Sequence, residues 1–167
     1  MNTIVFTTAA ASQLAALAAH ASDGLETGGI LLGTDHGLSG PVIVVACGGP
    51  GPKAVRRRSY FRRDLAYASA LAEQRAALDG SAWIGEWHTH GITMPEPSDR
   101  DLRTYRELLA DPELGLIVAV IVLAGPDRDW NRPVVHAWSF TGSVLRELPV
   151  SSLETADRTA PQPGDEP

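Results

Sequence analysis

Apolar residues recur along this chain in two spacings, in short alternating or unbroken runs and at every third to fourth position over longer stretches. The first spacing is typical of strands and the second of helices that bury one face. Strands are predicted over residues 3–7, 28–33, 42–47, 83–90, 116–124, 133–140 and 144–150. Helices are predicted over about 7–22, 64–78 and 98–111, each beginning at a capping residue: Thr7 or Thr8, Asp64 and Ser98. This order predicts an α/β fold with helices packed on a mixed sheet.

Two of the predicted strands, 42–47 and 116–124, are apolar without interruption. Such runs are typical of strands covered on both faces, so we expect 116–124 to lie in the centre of the sheet. The last two predicted strands are expected to pair as a hairpin. The second helix is expected to pack through an approximate face formed by Leu65, Ala68, Leu71, Ala72, Arg75 and Leu78.

Composition changes this picture little. With 167 residues, 44% of them hydrophobic and 20% charged, the chain resembles an ordinary globular domain. We expect one domain over 1–150 and a disordered tail over 151–167, which is rich in Ser, Thr, Pro, Asp and Glu. The net charge of −6 argues against general nucleic-acid binding. Cys47 is the single cysteine, which excludes an intrachain disulfide and favours a buried thiol.

The expected location follows from the apolar runs. None of them is long enough to cross a membrane as a helix. The alanine-rich start carries no basic residue before His20, unlike a secretion signal. We therefore expect a cytoplasmic protein without membrane partners.

Basic residues concentrate in one place, between Arg56 and Arg63. The cluster has two interpretations that the sequence leaves open. It is a solvated strand edge, or it is a patch for an acidic partner surface beside Tyr60 and Phe61.

The segment 83–101 holds the residues with the most specific chemistry. Side chains two apart in a strand point to one face, so we expect His88 and His90 side by side. Ser98 and Asp101 lie three residues apart, on one side of the following helix. Two imidazoles and one carboxylate form a ligand set typical of catalytic zinc, which keeps its fourth position for water.

Each part also has an ordinary structural interpretation. A His-x-His pair can simply face solvent, and Ser-x-x-Asp is typical of a helix capping box. Asp99 competes with Asp101 as a ligand, although its spacing places it on another side of the helix. Glu86 shares the strand face of His88 and is a candidate for proton transfer.

The run His88-x-His90, seven residues, Ser98-x-x-Asp101 resembles the signature of the JAMM zinc metalloproteases, also called the JAB or MPN-plus family. The preceding residues Ile84-Gly85-Glu86-Trp87 and the upstream Glu26-Thr27-Gly28-Gly29 also match, and the resemblance covers roughly residues 8 to 140. Gly91 stands where the family commonly has proline, which predicts a looser loop. The resemblance implies an MPN/JAB-type domain, a mixed and mostly antiparallel curved sheet flanked by about three helices.

The resemblance also implies roles for the site residues. His88, His90 and Asp101 would hold one Zn²⁺ per chain, Glu26 would be the catalytic base, and Ser98 would donate to the oxyanion. From position alone, Glu86 remains an alternative to Glu26 as the base.

The function implied is hydrolysis of an isopeptide or peptide bond after the C-terminus of a ubiquitin-like protein, as in prokaryotic stand-alone deubiquitinase-like isopeptidases. The expected partners are that protein or its conjugate and the E1- and E2-like enzymes of bacterial conjugation and antiphage systems. The tail of the modifier is expected along a strand edge, where Gly28-Gly29 would leave it room. One alternative is a peptidase that processes a sulfur-carrier protein or its amino-acid adduct. A second alternative is a non-catalytic MPN scaffold.

Overall fold

A computed structural model describes residues 2–35, 40–90, 96–116, 118–126 and 133–152 of the chain. The helices in these ranges are α1 (Thr8–Ala18), a 3₁₀ helix (Ala19–Asp23), α2 (Leu65–Asp79) and α3 (Asp99–Ala110). The strands are β1 (Ile4–Phe6), β2 (Gly28–Asp35), β3 (Val42–Cys47), β4 (Val55–Arg57), β5 (Tyr60–Arg62), β6 (Ala82–Thr89), β7 (Ala119–Pro126), β8 (Pro133–Phe140), β9 (Leu145–Leu148) and β10 (Val150–Ser152). The predicted α/β class and its three α-helices are confirmed.

The predicted caps begin the helices. Thr7, Asp64 and Ser98 each accept a hydrogen bond from a backbone N–H in the first turn of α1, α2 and α3. Gly24 and Gly80 end the first two helical segments in the left-handed conformation that glycine adopts without strain.

One eight-stranded sheet has the order β10-β1-β3-β2-β6-β7-β8-β9. The pairs β1–β3, β1–β10 and β6–β7 are parallel and the other four are antiparallel. Only Pro149 separates β9 from β10, although these strands lie at opposite ends of the order. The sheet is therefore curved and nearly closed, as expected of a mixed, mostly antiparallel curved sheet.

Both faces of the sheet carry buried apolar side chains. One cluster contains Leu14 of α1, and the other contains Ala68 of α2 and Tyr105 of α3. Successive residues of β7 alternate between the two clusters, so this strand is buried on both faces as predicted. β3 differs from its prediction, because Ile43 and Val45 are only half-buried. On the face of the sheet covered by α2 and α3, these helices pack against β2, β6 and β7. This face of β3 is therefore less covered.

Two other expectations need adjustment. Leu65 and Leu78, at the ends of the predicted face of α2, are 55% and 72% exposed, because only the middle turns of this helix cover the sheet. The predicted strand 144–150 is two strands, since proline at position 149 cannot donate to a ladder. The second of them, β10, runs from Val150 to Ser152, and the domain boundary at residue 150 stays a prediction.

Gly91 and residues 153–167 lie outside the described residues. Within the described residues, no helix combines the length and apolar character that crossing a membrane requires.

Candidate metal centre

The two histidines project from the end of β6. His88 lies opposite Gly28 of β2 and Leu123 of β7, while the backbone N–H of His90 donates to the carbonyl of Ala124 at 3.1 Å. Both imidazoles are buried, and their Nε2 atoms lie 2.9 Å apart. The expected side-by-side placement is observed.

Asp101 reaches the histidines from the first turn of α3. Its Oδ1 lies 3.4 Å from Nε2 of His88, and its Oδ2 lies 3.4 Å from Nε2 of His90. Ser98 and Asp101 also form a capping box, in which the backbone N–H and the hydroxyl of Ser98 donate to Oδ2 at 2.7 and 2.6 Å. The capping and ligand interpretations therefore apply to the same carboxylate, and the cap fixes its orientation.

These three side chains fit a metal ion. The ligand atoms lie within 4.8 Å of one another. The two nitrogen–oxygen distances of 3.4 Å resemble the separation of about 3.3 Å between ligands of a tetrahedral zinc. The Nε2 atoms of His88 and His90 lie 2.9 Å apart, a few tenths of an ångström less than that separation.

The protonation states suit metal binding as well. Burial lowers the pKa of His88, although Asp101 opposes the shift, so the imidazole favours its neutral form. Burial raises the pKa of Asp101, but hydrogen bonds and charge from His88 and His90 outweigh it and hold that pKa well below its usual range. Neutral imidazoles and an ionised carboxylate are the forms that bind metals.

Tyr105 supports His88 from behind. Its buried hydroxyl oxygen lies 3.4 Å from Nδ1 of His88. Burial raises the pKa of Tyr105 well above its usual value, so the phenol stays protonated. The helical spacing predicts that Tyr105 lies on the core face of α3, but it does not predict the contact with His88. The one sequence feature that could have indicated this contact is the position of Tyr105 one helical turn after Asp101.

Glu86 lies on the face of His88, as its spacing predicts, but it has a partner of opposite charge. Nε of Arg63 lies 2.8 Å from Oε1 of Glu86, and Nη1 of Arg63 donates to Oε2 at 3.0 Å. Burial raises the pKa of Glu86 and the arginine opposes that shift. This ion pair, with one hydrogen bond to Oε2, already occupies the carboxylate, which weakens the case for Glu86 as the base.

Glu26 lies in the loop before β2, and its backbone is held on two sides. Its N–H donates to the carbonyl of Arg57 at 2.8 Å, and Nε of Arg56 donates to its carbonyl at 3.2 Å. On the other side, Thr27 and Thr89 exchange hydrogen bonds that join this loop to the end of β6. The loop therefore stays beside the histidines.

The side chain of Glu26 lines a cavity of about 580 Å³ together with His88, His90, Ser98 and Asp101. Burial raises the pKa of this carboxyl to about 7, and the charge of Asp101 adds to the shift, while His90 and Arg100 oppose it. A carboxyl with such a pKa can both accept and return a proton near neutral pH. The structure thus brings together all five residues that the resemblance implicated. Asp99 also lines the cavity, but Asp101 is the carboxylate beside the imidazoles.

The expected room for a bound tail at Gly28-Gly29 is absent. A Cβ on Gly28 would lie 2.4 Å from the carbonyl oxygen of Trp87, and one on Gly29 would lie 2.0 Å from that of Gly48. These glycines permit close packing within the chain, so that expectation is wrong.

The basic cluster divides into ion-paired and exposed members. Arg56 pairs with Asp23 and Arg63 with Glu86, whereas the side chains of Arg57, Arg58 and Arg62 are exposed on the β4–β5 hairpin.

Comparisons with known proteins give a consistent result. The profile of a family described as prokaryotic homologs of the JAB domain matches residues 8–140. A "CD-NTase/cGAS isopeptidase" from Enterobacter hormaechei subsp. hoffmannii (strain UCI 50) is 29% identical over 102 residues, which are 61% of this chain and 56% of that protein. A protein of the same name from Vibrio cholerae serotype O1 (strain ATCC 39315 / El Tor Inaba N16961) is 30% identical over 97 residues, 57% of this chain and 61% of that protein. The chain thus spans less than two thirds of the length of these curated relatives.

The fold has a counterpart among solved structures. The solution structure of protein DSY2949 from Desulfitobacterium hafniense matches with a TM-score of 0.66 at 18% identity, covering 89% of this chain and 92% of that one. At this identity the match concerns the fold alone.

Proposed function

Because this chain belongs to the family of prokaryotic homologs of the JAB domain, we propose that it is a zinc-dependent hydrolase that cleaves an isopeptide or peptide bond after the C-terminus of a ubiquitin-like protein. The observation that carries this proposal is the convergence of His88, His90 and Asp101 in a cavity that Glu26 also lines. The isopeptidase names of two relatives support the isopeptide bond as the scissile bond.

His88, His90 and Asp101 would hold the Zn²⁺, because two nitrogen donors and one oxygen donor leave a fourth position for water. Bound by these residues, the metal would supply a water of lowered pKa and a Lewis acid for the scissile carbonyl. The imidazoles of His88 and His90 are buried, which limits the competition of bulk water for these two ligands.

Glu26 moves the proton in this proposal. Its carboxylate accepts a proton from the attacking water and delivers it to the departing amine. The raised pKa, about 7, makes both transfers feasible near neutral pH. Glu86 is the weaker candidate, because it is already ion-paired with Arg63.

Ser98 donates to the oxyanion that develops on the scissile carbonyl. In the present structure its hydroxyl donates to Oδ2 of Asp101, which also accepts from the Ser98 backbone N–H. The hydroxyl can rotate toward a substrate while the backbone N–H continues to hold the carboxylate.

Two measurements test the proposal. The first is the metal content of the purified protein, expected to be about one zinc per chain. The second is cleavage of isopeptide-linked conjugates of a ubiquitin-like protein, including conjugates on CD-NTase/cGAS proteins, with and without a chelator. Absence of zinc, or cleavage that a chelator leaves unchanged, would reject a zinc hydrolase. Zinc binding without cleavage of any conjugate would favour the scaffold alternative.

The base is tested with Glu26→Gln, which preserves shape and removes the ionisable group. We expect the cleavage rate to fall by at least about 100-fold while zinc content stays the same. Glu147→Gln on β9, an exposed position, is the matched control and should behave like the unmodified protein. Full activity of Glu26→Gln would assign the proton transfer to another group.

A further inference from the structure

A groove lined by arginines leads away from the metal centre. The cavity at the metal centre adjoins a second cavity of about 590 Å³, and Ser59, Tyr60 and Arg100 line both. Six arginine side chains line these two cavities, and one of them, Arg63, is paired with Glu86. The other five are exposed and form the surface that we call the arginine groove: Arg57, Arg58, Arg62, Arg100 and Arg103. Three of them belong to the β4–β5 hairpin and two to α3, so residues far apart in the sequence form one basic surface.

These five guanidinium groups have no carboxylate at ion-pair distance among the described residues. The arginine ion pairs there are those of Arg56, Arg63 and Arg75, none of which belongs to the groove. Arg100 donates to the carbonyl of Ser59 at 3.1 Å and lies over the ring of Tyr60. These contacts orient its guanidinium group without pairing it with a carboxylate among the described residues.

The acidic groups of the first cavity do not cancel this charge. Asp101 faces the histidines and Glu86 is bound by Arg63, so Glu26 and the exposed Asp99 remain. The groove contains five of the 14 basic residues of a chain whose net charge is −6. It is therefore a local positive surface on an acidic protein.

We propose that the arginine groove binds an acidic peptide segment of the conjugate, next to the bond that is cleaved. The location next to the bond rests on the function proposed above, since the groove opens onto the metal centre. Guanidinium groups bind carboxylates through two parallel hydrogen bonds, which suits a segment of Asp and Glu side chains. The net negative charge of the chain disfavours a long polyanion such as nucleic acid, which would extend beyond the groove.

Binding is measured without cleavage, by fluorescence anisotropy of a short labelled peptide of alternating Glu and Ser. The same peptide with Gln in place of Glu is the uncharged control. We expect the acidic peptide to bind more tightly and to lose affinity at high salt. The double variant Arg57→Gln/Arg62→Gln should weaken binding roughly 3- to 30-fold, as two exposed ion pairs predict. Arg146→Gln on β9, outside the groove, is the matched control and should bind like the unmodified protein.

A second pair, Arg58→Gln/Arg103→Gln, tests the same surface if the first pair does not fold. Equal binding of the acidic and uncharged peptides, or unchanged binding by a folded variant pair, would overturn the proposal. Tighter binding of a single-stranded oligonucleotide than of the acidic peptide would overturn the assigned class of partner.

Cleavage separates this proposal from the proposed function. On a conjugate with acidic residues beside the scissile bond, the groove variants should raise KM and leave kcat and zinc content unchanged. Acidic-peptide binding without cleavage of any conjugate would reject the proposed function and support the groove. Cleavage with a KM that the variants leave unchanged would reject the groove and support the function.

Discussion

The hydroxyl oxygen of Tyr105 lies 3.4 Å from Nδ1 of His88 at the candidate metal centre. When Nε2 binds a metal, Nδ1 carries the proton and can donate to that oxygen, which fixes the ring orientation. Tyr105→Phe keeps the buried ring and removes the acceptor. We expect zinc affinity, measured by competition with a chromogenic chelator, to fall about 10- to 100-fold.

Tyr67→Phe on α2 is the matched control, since Tyr67 is 40% exposed and lines no part of the metal cavity. Equal zinc affinity of the Tyr105 and Tyr67 variants would show that the phenol of Tyr105 only packs in the core.

The predictability of the site differs from residue to residue. Strand alternation predicts that His88 and His90 share one face, and helical spacing predicts the side of α3 that carries Asp101. Both could be predicted because both signals are local in the sequence. Glu26 lies more than sixty residues upstream of His88, so only the resemblance indicated it. The partner of Glu86 could not be predicted, because no spacing rule brings Arg63 to it from a different segment.

At the scale of elements, the β4–β5 hairpin connects the arginine groove to the proposed base. Arg56 of β4 donates to the carbonyls of His20, Leu25 and Glu26 at 3.0, 3.2 and 3.2 Å, and it forms two 3.0 Å hydrogen bonds with Asp23. One guanidinium group thus holds the 3₁₀ helix and the loop that carries Glu26. Arg56 is accordingly a positioning residue for the base.

Arg56→Lys keeps the charge and loses the planar group that makes these contacts. We expect kcat for conjugate cleavage to fall about 10- to 100-fold, because a small displacement of a reacting group is costly. Zinc content should not change, since the ligands lie on β6 and α3. The measurement is kcat, KM and bound zinc on the same preparation.

Arg75→Lys is the matched control, because Arg75 also pairs with an aspartate, Asp79, but lies away from the site on α2. Equal kcat for the two variants would show that Arg56 does not position Glu26.

The elements predicted best are those with long apolar patterns. The boundaries of β3 and β8 coincide with the predicted segments, and α2 and α3 begin directly after their predicted caps. β4 and β5 were not predicted as a hairpin, because each has only three residues, too few to show an alternation of apolar and polar positions. Pro149 is a local signal for the break between β9 and β10, but the pairing of β10 with β1 depends on the closure of the sheet, which no local pattern describes.

At the scale of the molecule, the curved sheet assembles the site from three segments. The antiparallel pairing of β2 with β6 places the start of β2 beside the end of β6, and parallel β7 supports β6 on its other side. The start of α3 then adds Asp101. The pairing of β1 with β10, which closes the sheet, lies in another part of the molecule and involves none of the site residues.

A shortened chain tests whether β10 belongs to the domain. Its residues Val150–Ser152 pair in parallel with β1, where Ile4 and Phe6 are buried. A chain that ends at Pro149 leaves β1 as an edge strand paired only with β3, whereas a chain that ends at Ser152 keeps the pairing of β1 with β10. We expect the shorter chain to lose about 1–3 kcal/mol in the free energy of unfolding, measured by urea titration, because ladder hydrogen bonds and burial of β1 are lost. Zinc content should be the same in both chains, since the ligands lie on β6 and α3. Equal urea midpoints would place the boundary of the folded domain at residue 149 and would mean that the pairing of β1 with β10 contributes nothing to its stability.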